Sequence, residues 1–153
     1  SGPWGTKIAR LAELCKEMGF GVDSIDYRHT LNPDERVDQL TKLLAEVGDP
    51  YVLVGSSMGG YVSVLNAARA SGLFLLAPAV YMPSYAVQSY KVECRTEIVH
   101  GWDDDVIPYS NSVRFAKSQG AKLHLIPGDH RLNDSLDTVE DLFRLFLSQY
   151  RNV

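Results

Sequence analysis

The most constraining feature of this chain is a junction. A continuous apolar run at 51–54 meets Gly55-Ser56-Ser57-Met58-Gly59-Gly60, and a stretch rich in small and apolar residues follows at 58–70. An uninterrupted apolar run of strand length suits a strand covered on both faces, as in a parallel sheet. A helix starting directly after it must reverse the chain within one or two residues, and Ser57 stands at that reversal. Gly55 and Gly59 are expected to remove Cβ atoms that would collide across the turn. Such a turn lifts the Ser57 hydroxyl clear of the sheet and leaves the Met58 backbone N–H where developing negative charge is stabilised. The glycines do not read as a phosphate cradle, since the Lys-Ser/Thr ending and the G-x-G-x-x-G pattern are both absent.

The rest of the chain repeats the alternation of strand and helix. Helical periodicity appears at 6–18, closed by Gly19, and at 33–47, opened by Asn32 and Pro33 and closed by Gly48. It appears again at 110–118 and 135–149. Strand patterns fall at 20–27, 51–54, 73–77, 97–100 and 122–126. This order predicts an α/β protein: a three-layer α/β/α sandwich around a mostly parallel sheet, in a single domain over residues 1–153. Residues 78–95 lack a clear pattern and are too few for a cap domain, so an open site is expected.

Composition narrows the partners. The net charge is −4 and no cluster of Lys or Arg stands out, which gives little electrostatic reason to bind nucleic acid or an anionic membrane. No apolar run approaches the roughly 18 residues needed to cross a bilayer. No charged-then-apolar leader is seen, so a cytoplasmic location is expected. Cys15 and Cys94 match no metal or redox spacing, and Cys15 falls on an apolar helix face as a buried thiol. A small-molecule partner fits best, with no metal and no organic cofactor; the oligomeric state stays open.

A serine hydroxyl needs a base, and that base is usually a histidine oriented by an acid. After the strand at 97–100 come three adjacent acids, Asp103, Asp104 and Asp105, any of which can serve on position alone. After the strand at 122–126 comes Pro127-Gly128-Asp129-His130. Of the four histidines, only His130 lies in a loop after the last strand and downstream of the acids. His124 lies within a strand, His100 at a strand end where packing roles are expected, and His29 upstream of Ser57. Trp102 and Tyr109 flank the acids and are candidate substrate contacts.

At these residues the chain resembles the α/β-hydrolase superfamily, and within it the small capless bacterial serine esterases of the YqiA-like type. The elbow GSSMGG, the segment HGWDDDVIP at 100–108 and the closing GDH at 128–130 carry the likeness. Laid on the family pattern H-G-x-x-D-x-x-V/I-P, the acid falls on Asp104, with Asp103 second. The resemblance implies a minimal hydrolase fold acting on a small ester, thioester or related acyl substrate through Ser57, His130 and Asp104, with Met58 as an oxyanion donor. Relatives open with an additional central strand ahead of the segment that begins this chain, so that strand is expected to be missing from the sheet. The competing expectation is a hydrolase-fold binding module with vestigial activity, because fold alone does not fix function.

Overall fold

A computed structural model describes residues 6–24 and 30–150. Its centre is a four-stranded parallel sheet in the order β1-β2-β3-β4, formed by Val52–Ser56, Gly72–Leu76, Arg95–Gly101 and Lys122–Ile126. In β2 every residue is buried, and its side chains alternate between two cores. Leu73 and Leu75 join Leu53, Ile98 and Phe115 on one face. Phe74 and Leu76 join Val99, Phe143 and Phe146 on the other. Each fully buried side chain of this size contributes about 2 kcal/mol through removal from water.

Helices cover both faces. α1 (Thr6–Glu17) and α5 (Leu136–Ser148) pack on the Phe74 side, where the Phe74 ring lies 4.9 Å from that of Phe143 and 5.3 Å from that of Phe146. On the other side lie α2 (Pro33–Ala45), α3 (Met58–Val64) and α4 (Tyr109–Gln119). The start of α2 follows its sequence signal: Asn32 Oδ1 accepts from the N–H groups of Asp34 (2.9 Å) and Glu35 (3.3 Å). Gly120 closes α4 at φ 66°, in the left-handed region. Both cysteines are free, and burial pushes the Cys15 thiol up to about 11.

Three expectations are corrected. α3 ends at Val64, with a separate 3-10 turn at Ala67–Arg69, instead of running to Ala70. α2 ends at Ala45 on a right-handed cap at Glu46, so Gly48 is not its stop. The expected strand at 20–27 is absent from 20–24, and 25–27 lie outside the described residues. A strand requires a neighbour for its backbone groups, and among the described residues nothing pairs with the outer edge of β1. Phe20 instead packs against the α1–α5 core beside Val52 and Val54.

Because all three strand pairs are parallel, the C-terminal ends of β1, β2, β3 and β4 share one rim of the sheet. In open parallel sheets this is where ligands bind.

Candidate active site

Ser57 follows β1 with φ 56° and ψ −120°, a backbone state that costs about 1–3 kcal/mol for a residue with a side chain. The neighbouring loops hold it there. The Ser57 N–H donates to the Leu76 carbonyl at 2.9 Å, and its own carbonyl accepts from the N–H groups of Gly60 and Ala79, each at 2.9 Å. The hydroxyl does not cap α3. Among the described residues no backbone carbonyl accepts from the Met58 N–H, which opens the helix.

The elbow glycines divide differently from the sequence expectation. A Cβ on Gly55 would drive into the Gly59 carbonyl and come within 2.7 Å of Ser63 Oγ. At Gly59 itself a Cβ meets nothing within 4 Å, so its collision is corrected. Gly60 holds the second tight contact, where a Cβ would stand 2.7 Å from Pro78 Cβ. Pro78 is remote in sequence, which is why the pattern did not reveal it.

The loop after β3 turns Asp103 and Asp105 outward and Asp104 inward, with its side chain fully buried. Asp104 Oδ1 accepts from the N–H groups of Val106 and Ile107, both at 2.8 Å. Its Oδ2 lies 2.7 Å from His130 Nδ1 and 3.1 Å from His100 Nε2. Burial pushes this carboxyl upward, but the Ile107 N–H, His130 and the Val106 N–H outweigh it and hold the group below its usual range.

His130 follows β4. Its Nε2 stands 3.1 Å from Ser57 Oγ, so serine, imidazole and carboxylate form one continuous chain of hydrogen bonds. The carboxylate can only accept, which puts the proton on Nδ1 and leaves the Nε2 lone pair facing the serine hydroxyl. Lys7, from α1, donates to the His130 carbonyl at 3.1 Å. Burial pulls its ammonium below the ordinary range, partly offset by Asp104 and Asp129.

The acid and histidine loops lie backbone to backbone. The Trp102 N–H donates to the Ile126 carbonyl and the Asp103 N–H to the Gly128 carbonyl, each at 2.9 Å. Gly101 permits this approach: a Cβ there would push into the Gly128 carbonyl and lie 2.9 Å from the Asp129 carbonyl oxygen. Gly101→Ala is therefore expected to cost about 3 kcal/mol, in the range of substitutions that force backbone apart. Urea denaturation checks this, and a loss under 0.5 kcal/mol would mean the loops separate freely.

Trp102, on the acid loop, and Tyr109, the first residue of α4, are 47% and 37% exposed, with ring centroids 4.9 Å apart in an edge-to-face pair. His124 is engaged by Glu97 at 3.0 Å, and His29 lies outside the described residues. His100 is wholly buried against Asp104, Ile107 and Ser112. Burial lowers its pKa, with the Ile107 carbonyl and Asp104 opposing. A depressed pKa confers stability above the unfolded value and loses it as pH falls. With His100 and Asp104 both depressed, stability should decline first below about pH 6.5 and more steeply below about pH 4. Melting temperatures at pH 7.5, 5.5 and 4 check this; a flat profile from 7.5 to 5 would contradict it.

Among the described residues no group of three or more His, Cys, Asp or Glu side chains is placed to hold a metal. No described helix is long and apolar enough to cross a membrane.

The alpha/beta hydrolase family model matches residues 10–149. The chain belongs to that family. Its architecture, a parallel four-stranded sheet between helices with no cap domain among the described residues, is the alpha/beta hydrolase fold. Among solved structures, this hydrolase is similar to a hydrolase of the alpha/beta superfamily from Xanthomonas campestris pv. campestris. The identity is 26% over 97% of this chain and 93% of that one, with a TM-score of 0.87. It also resembles an a/b serine hydrolase without lid from Xanthomonas campestris, at 16% identity over 96% of this chain and 74% of that one, with a TM-score of 0.76. Among curated proteins, the mitochondrial palmitoyl-protein thioesterase ABHD10 of Bos taurus is 24% identical, covering 90% of this chain and 68% of the bovine one.

Proposed function

We propose that this alpha/beta hydrolase cleaves a small ester, thioester or related acyl bond through an acyl-enzyme on Ser57. The observation that carries the reading is the hydrogen-bonded series from Ser57 Oγ to His130 Nε2 and from His130 Nδ1 to Asp104 Oδ2. In the proposed sequence Ser57 Oγ attacks the acyl carbon as His130 Nε2 takes its proton. Asp104 holds the imidazole in the required tautomer and stabilises the imidazolium. The Met58 N–H donates to the oxyanion, a contact of a kind worth about 3 kcal/mol in the transition state. The imidazolium then protonates the departing alkoxide or thiolate, the acyl group stays on Ser57, and water deprotonated by His130 releases it. None of these steps calls on a metal or organic cofactor.

Two observations support this substrate class. The exposed Trp102–Tyr109 pair offers an apolar surface beside the Asp104 loop, suited to an acyl chain. The bovine relative is named a palmitoyl-protein thioesterase, which favours including thioesters. Turnover of p-nitrophenyl butyrate and of a short acyl thioester tests the proposal. Burst release of p-nitrophenol is expected, and a well-folded preparation inert to both substrates would reject it.

A further inference from the structure

His100 has no part in the reaction as proposed so far, yet it is wholly buried and every polar atom of its ring is engaged. Nε2 lies 2.9 Å from the Ile107 carbonyl and 3.1 Å from Asp104 Oδ2. Both of those oxygens only accept, so Nε2 must carry a hydrogen. Nδ1 lies 2.7 Å from Ser112 Oγ, on α4, whose hydroxyl can donate to it. One neutral tautomer donates from Nε2 to the Ile107 carbonyl and accepts at Nδ1 from Ser112, with Asp104 Oδ2 beside the same N–H at 3.1 Å, and burial keeps the ring neutral.

We infer that His100 is a positioning residue for the triad: the positive end of its Nε2–H, bonded to the Ile107 carbonyl, lies beside the same Asp104 oxygen that receives His130, steadying the carboxylate and sharing its charge. The inference rests on the proposed roles of Ser57, His130 and Asp104. Without this contact, Asp104 keeps two backbone donors on Oδ1, but Oδ2 answers to His130 alone. The carboxylate then rotates more freely about those two bonds, and its charge acts more strongly on His130. Other charges facing this network are Lys7 from α1 and Asp129 and Arg131 from the histidine loop. They are unchanged by substitution at 100, so the comparison between variants isolates the His100 contact.

The test compares His100→Gln, whose amide reaches about as far as Nε2, with His100→Leu, which fills the space without a donor. His100→Asn, whose amide reaches Ser112 but not Asp104, replaces the leucine variant if that one does not fold. Two readouts are taken: kcat and KM on p-nitrophenyl butyrate, and the NMR titration of the His130 ring, which needs no turnover. The expected result is kcat within about threefold of wild type for His100→Gln. For His100→Leu or His100→Asn, kcat falls about tenfold at unchanged KM, and the His130 midpoint rises by about half a pH unit. A variant that merely loosened packing would not raise that midpoint. The inference is overturned if the donor-free variant leaves the His130 titration unmoved, or if His100→Gln is impaired as much as His100→Leu. A wild type inert to esters would defeat the hydrolase reading, while the His130 titration would still decide the role of His100.

Discussion

Ser57→Ala is expected to lower kcat on p-nitrophenyl butyrate by about 10⁴-fold or more, with little change in folding stability. The size follows from the proposed covalent step, since without Oγ no acyl-enzyme could form and only oxyanion and binding contributions would remain. The small structural cost follows from the contacts. Ser57 is held at φ 56° by its backbone bonds to Leu76, Gly60 and Ala79, none of which involves the hydroxyl. Circular dichroism and the urea midpoint check the fold in parallel. A variant retaining a tenth of wild-type activity would show that some other group performs the attack.

The second large effect is expected at Asp104. In Asp104→Asn the side-chain oxygen is expected at the Oδ1 position, because two bonded N–H groups, of Val106 and Ile107, point there and would repel an amide NH₂, against the single longer His100 contact at Oδ2. The NH₂ is then forced toward His130. His130 must answer with an Nδ1 lone pair, which moves its proton to Nε2, the atom 3.1 Å from Ser57 Oγ. In that tautomer the imidazole cannot accept the serine proton, and kcat should fall about 10³- to 10⁴-fold. Asp103→Asn and Asp105→Asn alter exposed carboxylates and should stay within about threefold of wild type. Equal losses across the three aspartates would mean the loop contributes bulk charge, not one oriented acid.

How much of this was legible beforehand depended on the range of the interaction. Local signals read well: the Asn32 cap and the strand Lys122–Ile126 are set by short-range backbone geometry and periodicity. The gathering of Ser57, Asp104 and His130 was legible from their place after three strands, here β1, β3 and β4, because parallel pairing sends every such loop to one rim. Choosing among the three acids was not. Spacing alone left them equivalent, and a family pattern singled out Asp104. What the sequence concealed were contacts between remote segments. Gly60 against Pro78 and Gly101 against Gly128 look like any other glycines until the loops are in place. The strand expected at 20–27 failed over 20–24 for a related reason, since alternation describes one face of a segment and says nothing of a neighbour to pair with. His100 stood in plain view, but its value lies in a shared carboxylate oxygen that only the turn at 101–107 brings within reach.

The central claim is that Ser57 is an activated nucleophile, and covalent capture tests it most directly. The protein is incubated with a fluorophosphonate at neutral pH, and the adduct is counted by intact mass and mapped by peptide sequencing. One adduct per chain on Ser57, absent when His130 is replaced by alanine, is the expected result. No adduct on a folded protein, or labelling that persists without His130, would contradict it.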